Sequence, residues 1–218
     1  MARPRTFDES AALDQVVRLF WMRGYEATSV RDLEGATGIG MTSLYNAFGG
    51  KRQIFRSALD RYSEQRTRRC LDEIEHLASP ADRIRTFVAR VIEAALDDPD
   101  RMGCLVINTA VELGPHDEEI SEIVADHLAE VEAFFRRNFA AAQKAGDADP
   151  NISPEDAGRS FSALMFGLRV LARTRPERKM MEGAARPLLA LLREGDRVSA
   201  DHATIQNAAP ENTHAGRC

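Results

Sequence analysis

The sequence predicts an all-α protein of about nine helices. Apolar residues recur every three or four positions along most of the chain, which is the period of a helix with one buried face. No segment shows the strict alternation that is typical of a strand. Hydrophobic residues make up 44% of the chain and charged residues 29%, a balance that is typical of a globular protein.

The first third of the chain is predicted to hold four helices. The apolar stripe of the first helix is Leu13, Val16, Val17 and Phe20. The first three helices end at glycines, a residue type that is favoured after helix C-termini: Gly24, Gly38 and Gly49–Gly50. Ser29 can cap the short second helix, and a long fourth helix starts at Lys51.

Five further helices are predicted after residue 78. Ser79–Pro80 and Ser153–Pro154 each combine an N-cap residue with a proline at the first helical position. A compact apolar helix follows Gly103, a long helix spans 117–144, and the last begins after Pro176. The polar segment 196–218 is predicted to be disordered, and Arg3 and Arg5 precede the first helix as a basic arm or a solvated tail.

Residues 29–48 have the arrangement of a helix-turn-helix, with two short helices joined at Gly38. Glycine can adopt the left-handed backbone conformation that a steep turn needs. The segment TSLYNAFGGKRQIF (42–55) buries Leu44 and Phe48 on one face, which leaves hydrogen-bonding side chains on the others. A helix of this kind fits the major groove of DNA with its N-terminal residues against base edges.

The charge distribution agrees with a DNA-binding N-terminal part. Residues 1–69 hold 12 Lys/Arg against 8 Asp/Glu, whereas residues 70–218 hold 17 against 26. A basic region on an otherwise acidic chain is suited to a polyanion. A chance fluctuation of surface charge is the alternative explanation.

Residues 7–55 resemble the DNA-binding domain of the TetR/AcrR family of bacterial transcriptional repressors. The resemblance is carried by Phe20, Gly24–Tyr25, Thr28–Leu33, Gly38–Ile39, Ser43–Tyr45, Phe48 and Lys51. It implies a DNA-binding domain over residues 6–66 and a helical effector-binding and dimerisation domain over 67–195. It also implies a homodimer that binds a palindromic operator and is released by a small-molecule effector.

The resemblance assigns DNA contacts to Arg31, Gly40, Met41, Thr42, Ser43, Tyr45, Asn46 and Lys51. Met41, Thr42 and Asn46 would face bases, while Ser43 and Tyr45 would contact phosphates. Arg31 would reach a base or a phosphate, and Gly40 would let the backbone approach closely. Lys51 would hold a phosphate at the N-terminus of the fourth helix.

Several of these residues have a structural alternative. Tyr45 can be a half-buried ring that braces the motif, and Arg31 can form a salt bridge with Asp32 or Glu34. Glu34 stands where the family has a small or apolar residue. Either the second helix is distorted there, or Glu34 points outward and Gly35 permits tight packing, although glycine within a helix costs about 1 kcal/mol relative to alanine.

The effector pocket implied by the resembled fold is lined by Phe87, Val91, Cys104, Ile107, Asn108, Val111, Phe161, Met165 and Arg169. Most of these side chains can equally be ordinary core. Asn108 and Arg169 are polar groups on apolar helix faces, so each needs a partner from a ligand or from the backbone.

The resemblance places dimerisation on the last two helices. The apolar residues predicted to take part are Phe161, Leu164, Leu168, Leu171, Leu188, Leu189 and Leu192. Alternatively, these apolar residues can pack entirely within a single chain.

Other functional classes are less consistent with the sequence. It has no glycine-rich phosphate loop and no nucleophile elbow, so we expect no enzyme. The acidic residues of helix 117–144 suit a solvated face, so we expect no metal and no cofactor. The N-terminus lacks the apolar core of a secretory signal, which favours the cytoplasm.

A helical adaptor for protein partners is one alternative. A repressor that senses oxidants or electrophiles is another, because Cys104 begins a helix and helix N-termini lower thiol pKa values; a buried hydrophobic role is the simpler explanation for this cysteine.

Overall fold

The computed structural model describes residues 7–193 and confirms the all-α fold, with nine helices in that range. They are α1 Glu9–Arg23, α2 Val30–Thr37, α3 Met41–Phe48, α4 (Lys51–Tyr62, a π-helical stretch Ser63–Arg68, and Arg69–Glu75), α5 Pro80–Leu96, α6 Leu105–Glu112, α7 Glu118–Ala145, α8 Pro154–Ala172 and α9 Arg178–Leu189. Arg3, Arg5 and the segment 196–218 lie outside the described residues.

The predicted helix starts at three serines are confirmed. Ser29 accepts a hydrogen bond from the backbone N–H of Asp32, and the Asp32 carboxylate accepts one from the Ser29 N–H, which makes a capping box. The Ser79 and Ser153 side chains cap α5 and α8 by accepting hydrogen bonds from the backbone N–H groups of Asp82 and Asp156, and each serine is followed by proline at the first helical turn. These caps satisfy backbone donors that a helix leaves unpaired at its N-terminus.

One apolar cluster, here called the head core, holds α1, α2, α3 and the first half of α4 together. Its fully buried members include Phe20, Leu33, Leu44 and Phe55. The same cluster continues into the later part of the chain through Leu105, Val106, Leu113, Ile120 and Val124 of α6, α7 and their connection. The head (residues 7–62) therefore shares its core with α6 and the beginning of α7.

A second apolar cluster, the body core, is formed by the end of α4 together with α5, α7, α8 and α9. Four phenylalanine rings lie at its centre. Phe87, Phe134 and Phe135 have ring centroids 5.4 Å apart, and Phe161 stacks on Phe135 at 5.2 Å. The body (residues 63–193) is built around this group.

The π-helical stretch of α4 lies where the head meets the body. A π-helical turn carries an extra residue within a helix, and such turns are frequent at functional sites. Ser63, at its start, is buried, and its hydroxyl has no hydrogen-bond partner among the described residues. Gln65 and Arg66 from this stretch line one cavity and Thr67 lines another, so the irregular turn borders both.

Candidate nucleic-acid interface and effector cavity

The turn between α2 and α3 presents α3 at the surface of the head. Gly38 has φ 66° and ψ 12°, which is the left-handed conformation predicted for it. Leu33 of α2 and Leu44 of α3 are both fully buried beside this turn. Their burial fixes which face of α3 points inward and leaves the opposite face open.

The open face of α3, here called the reading face, carries Thr42, Ser43 and Asn46. All three are exposed, and within residues 7–193 their side chains have no hydrogen-bond partner. Met41 is half-buried and Gly40, which precedes α3, is exposed with no atom within 4 Å of where a Cβ would lie. The reading face thus offers hydrogen-bonding groups and a close backbone approach to a partner outside the chain.

Tyr45 both braces the head and presents a polar group. Its ring is half-buried and packs against the head core, so the bracing interpretation holds. The hydroxyl makes no hydrogen bond within the described part of the chain, which leaves it available for a phosphate.

The remaining predicted DNA contacts lie around the reading face. Arg31 is exposed and has no ion pair among the described residues, because Asp32 pairs with Arg23 at 2.6 Å instead. Hydrogen bonds from Ser29, and next the Arg23 guanidinium, hold the pKa of Asp32 below its usual range. Lys51 Nζ lies 4.2 Å from the centroid of the Tyr25 ring, a cation–π contact that holds the ammonium group at the start of α4.

Glu34 has a role that the sequence did not suggest. Its Oε1 accepts a hydrogen bond of 2.6 Å from the backbone N–H of Met41, so the carboxylate caps the N-terminus of α3. Gly35 is exposed, and a Cβ there would meet nothing within 4 Å. The tight-packing interpretation of Gly35 is therefore wrong, and α2 continues as a helix through both residues.

Two polar links join the head to the body. The Glu112 carboxylate, at the end of α6, accepts hydrogen bonds from the backbone N–H groups of Tyr25 at 3.1 Å and Glu26 at 2.8 Å. Arg52, near the start of α4, pairs with Asp117 at 2.6 Å and Glu119 at 2.7 Å. Glu112 of the body therefore contacts the connection between α1 and α2, and two further acids of the body contact the start of α4.

A small cavity of about 40 Å³, here called the inner cavity, lies between α4, α5, α6, α7 and α8. Six of the predicted effector residues line it: Phe87, Val91, Cys104, Ile107, Met165 and Arg169. Its other walls were not predicted: Thr67, Val106, His127, Leu128, Val131 and Phe166.

Three predicted pocket residues lie elsewhere. Val111 is 74% exposed, because it falls on the outer side of α6. Phe161 is buried in the body core against Phe135. Asn108 donates a hydrogen bond of 2.9 Å from Nδ2 to the Met102 carbonyl, so its partner is the backbone.

A larger cavity of about 300 Å³, here called the outer cavity, separates α1 of the head from the 97–103 connection of the body. Val17, Trp21 and Tyr62 form its apolar side. Burial, and next the neighbouring Cys104 thiol, raise the pKa of Tyr62. Among the residues described as lining the two cavities, Arg169 is the one they share.

The predicted dimerisation residues divide into two groups. Phe161, Leu168 and Leu192 are buried within a single chain, so they pack in the body core as the intramolecular alternative requires. Leu164, Leu171, Leu188 and Leu189 are only partly covered. The open face of α8 instead carries Ala163, Gly167 and Val170, of which Val170 is 48% exposed.

Residues 7–193 contain neither a metal-binding cluster nor a membrane-spanning helix. In that range no group of three or more His, Cys, Asp or Glu side chains is placed to hold a metal ion. No helix there is long and apolar enough to cross a membrane.

The fold and the reading face define a helix-turn-helix DNA-binding protein. The family model of bacterial regulatory proteins of the tetR family matches residues 12–58, and that of the tetracyclin repressor-like C-terminal domain matches residues 80–188. The uncharacterized HTH-type transcriptional regulator YezE of Bacillus subtilis (strain 168) is 32% identical over 178 residues, which cover 79% of this chain and 91% of the relative. The chain therefore belongs to the TetR family of transcriptional regulators, which are DNA-binding proteins and not enzymes.

Two further relatives are similar over most of their length. The HTH-type transcriptional repressor ComR of Escherichia coli (strain K12) is 28% identical over 172 residues, covering 78% of this chain and 82% of the relative. A cysteine mutant of the TetR family regulator CifR, solved with a 26-base-pair operator DNA, is 29% identical with a TM-score of 0.77. That match covers 86% of this chain and 98% of the CifR chain.

Proposed function

We propose that this chain is a cytoplasmic repressor that binds a palindromic operator as a homodimer and is released by a small-molecule effector. The observation that carries the proposal is the reading face: Thr42, Ser43 and Asn46 are exposed, and their side chains have no hydrogen-bond partner in the described part of the chain. The Tyr45 hydroxyl and Lys51 flank them and suit phosphates. The assignment of residues 6–66 to DNA binding and 67–195 to effector binding and dimerisation belongs to this proposal.

The dimer is assigned to the open faces of α8 and α9. Gly167 and Gly183 are exposed, and a Cβ at either would meet nothing within 4 Å, so a second backbone can approach there closely. Ala163 and Val170 extend that surface along α8. A dimer of this kind must place two α3 helices about 34–36 Å apart to reach successive major grooves.

Release is assigned to α6, which reaches from the inner cavity to the head. Its first turn lines the cavity through Val106 and Ile107, and Glu112 at its end holds the backbone of Tyr25 and Glu26. A ligand that binds better when α6 is displaced lowers the affinity for DNA by that difference in binding free energy.

The test is a gel shift with DNA from upstream of the protein's own gene, with a shuffled duplex of equal length as the control. We expect specific binding that weakens steeply between about 50 and 200 mM salt, because bound phosphates release counterions. A protein that ignores both duplexes at low salt contradicts the proposal. Binding to protein partners without salt-dependent DNA affinity supports the adaptor alternative instead.

Cys104 supports a second candidate, release by modification of a thiol. The side chain is free, half-buried and part of the wall of the inner cavity. Mass spectrometry after mild oxidation, with a gel shift on the same sample, tests it. An unmodified Cys104 with unchanged DNA binding removes this candidate and leaves reversible effector binding in place.

A further inference from the structure

The inner cavity contains a guanidinium group for which residues 7–193 supply no counter-ion. Arg169 is half-buried, and it makes no hydrogen bond or ion pair with any residue in 7–193. An unpaired guanidinium in a partly desolvated place is costly unless an anion pairs with it. Most arginines within residues 7–193 form ion pairs, as Arg52 and Arg68 do with glutamates.

The walls around Arg169 explain why no anion from the chain reaches it on the inner side. None of the residues described as lining the inner cavity is Asp or Glu. The walls are apolar apart from Thr67, Cys104, His127 and Arg169. His127 is 6% exposed, and within residues 7–193 neither of its ring nitrogens makes a hydrogen bond. Its nearest acid is Asp60, whose Oδ1 lies 3.6 Å from Nε2.

Four aspartates line the outer cavity, and three of them, Asp14, Asp98 and Asp100, are engaged with other groups. Asp14 pairs with Arg61 at 2.9 Å. The Asp98 carboxylate accepts hydrogen bonds from the backbone N–H groups of Asp100 and Met102. Asp100 lies 3.9 Å from Arg18. Arg18 and Arg66 also line the outer cavity, but Arg169 is the arginine that lines both cavities.

We propose that the effector is a short carboxylate whose apolar chain enters the inner cavity while its carboxylate pairs with Arg169. Guanidinium and carboxylate groups match in geometry and form two parallel hydrogen bonds. One water molecule needs about 10–15 Å³ of cavity volume. The inner cavity has about 40 Å³, so it accepts a chain of only a few carbon atoms. The outer cavity provides the entry route and leaves room for the carboxylate end.

The inference rests on the proposed effector site and deepens it, since it names the class of ligand. Propionate, butyrate, valerate and benzoate are the probes, each compared with its primary amide, and butylamine serves as the cationic control. Thermal unfolding and the fluorescence of Trp21, the single tryptophan and a wall of the outer cavity, report binding at constant ionic strength. We expect at least one carboxylate to bind saturably below about 10 mM, and its amide to bind about tenfold more weakly.

Variants separate the role of Arg169 from a general effect of charge. We expect Arg169→Gln to weaken carboxylate binding about tenfold. Arg169→Lys should weaken it less, because lysine keeps the positive charge but loses the paired N–H donors of the guanidinium. Arg136→Gln is the matched control, since Arg136 is exposed, has no ion pair in the described chain and lines neither cavity. The Arg136→Gln variant should bind the carboxylate with the same affinity as the wild type.

Three outcomes overturn the inference: no probe saturates the wild type, amides or butylamine bind as well as carboxylates, or Arg169→Gln binds as the wild type does. A gel shift on the same preparations keeps the two proposals apart. Specific DNA binding without carboxylate binding refutes only the ligand class. Carboxylate binding without DNA binding refutes the repressor and leaves the cavity assignment standing.

Discussion

The reading face and the inner cavity hold their polar groups under opposite conditions. Thr42, Ser43 and Asn46 are exposed, so water satisfies them until DNA replaces it. His127 is almost fully buried and makes no hydrogen bond with the described residues, and among those residues half-buried Arg169 has no counter-ion. The head is therefore ready to bind as it stands, whereas the cavity carries a free-energy cost that a ligand can remove.

The difference indicates where affinity and control reside. Affinity for DNA depends on surface groups that need no rearrangement. Control depends on the polar groups of the inner cavity in the body, and the Glu112 and Arg52 links connect the body to the head. Changes in the two regions should consequently have separable effects on DNA binding, ligand binding and stability.

The largest effect is expected from a change in the body that leaves both sites intact. Gly167→Glu places a charge on the open face of α8, where a Cβ meets nothing within the chain. We expect a folded monomer whose operator affinity falls by about 10²–10⁴, because the two heads no longer bind as one unit. Light scattering and a gel shift measure this. Ala129→Glu on the exposed side of α7 is the control, and a Gly167→Glu protein that stays dimeric rejects the assigned interface.

The next largest effect belongs to the head. Tyr45→Ala should lower operator affinity about 100-fold with the dimer retained, because it removes both the hydroxyl and the ring that supports α3. Tyr45→Phe keeps the ring against the head core and should cost about tenfold. Gel shifts and light scattering on both variants test this. Wild-type affinity in Tyr45→Ala would show that α3 is not the reading helix.

A smaller effect is expected at the link between the regions. Glu112→Gln retains one acceptor for the backbone of Tyr25 and Glu26 but loses the charge, which costs about 1 kcal/mol. We expect faster hydrogen exchange at these two amides, a thermal midpoint lower by about 2–4 °C, and a weaker response of DNA binding to the effector. Glu118→Gln, an exposed acid at the start of α7, is the control. Unchanged exchange at Tyr25 and Glu26 would show that the link does not hold the head.

The head was the more predictable region because its signals are local. Gly38, the Ser29 cap and the buried Leu44 lie within sixteen residues, so periodicity and turn chemistry locate the motif. The capping role of Glu34 was missed because it depends on how α2 and α3 meet in space.

The cavity was less predictable because its walls come from five helices. Its apolar residues have the same helical spacing as core residues, and spacing alone placed Val111 inward although it is exposed. His127 gave no signal in the sequence beyond being a lone histidine in an amphipathic helix. The division at residue 66 follows the family pattern, whereas the head core extends past it to Val124.

The smallest effect concerns the protonation of His127. Burial lowers its pKa below the ordinary 6.5, against the opposing effect of the nearby Glu130, Asp60 and Asp126 and with that of Arg68. Below about pH 6.5, His127 is protonated to a greater extent in the unfolded chain than in the folded chain. The free energy of unfolding therefore falls as the pH falls. Urea unfolding at pH 7.5 and 5.5 should therefore show a smaller loss in His127→Gln than in the wild type. His116→Gln, at an exposed histidine, is the control, and equal losses in all three proteins would mean that the cavity does not keep His127 neutral.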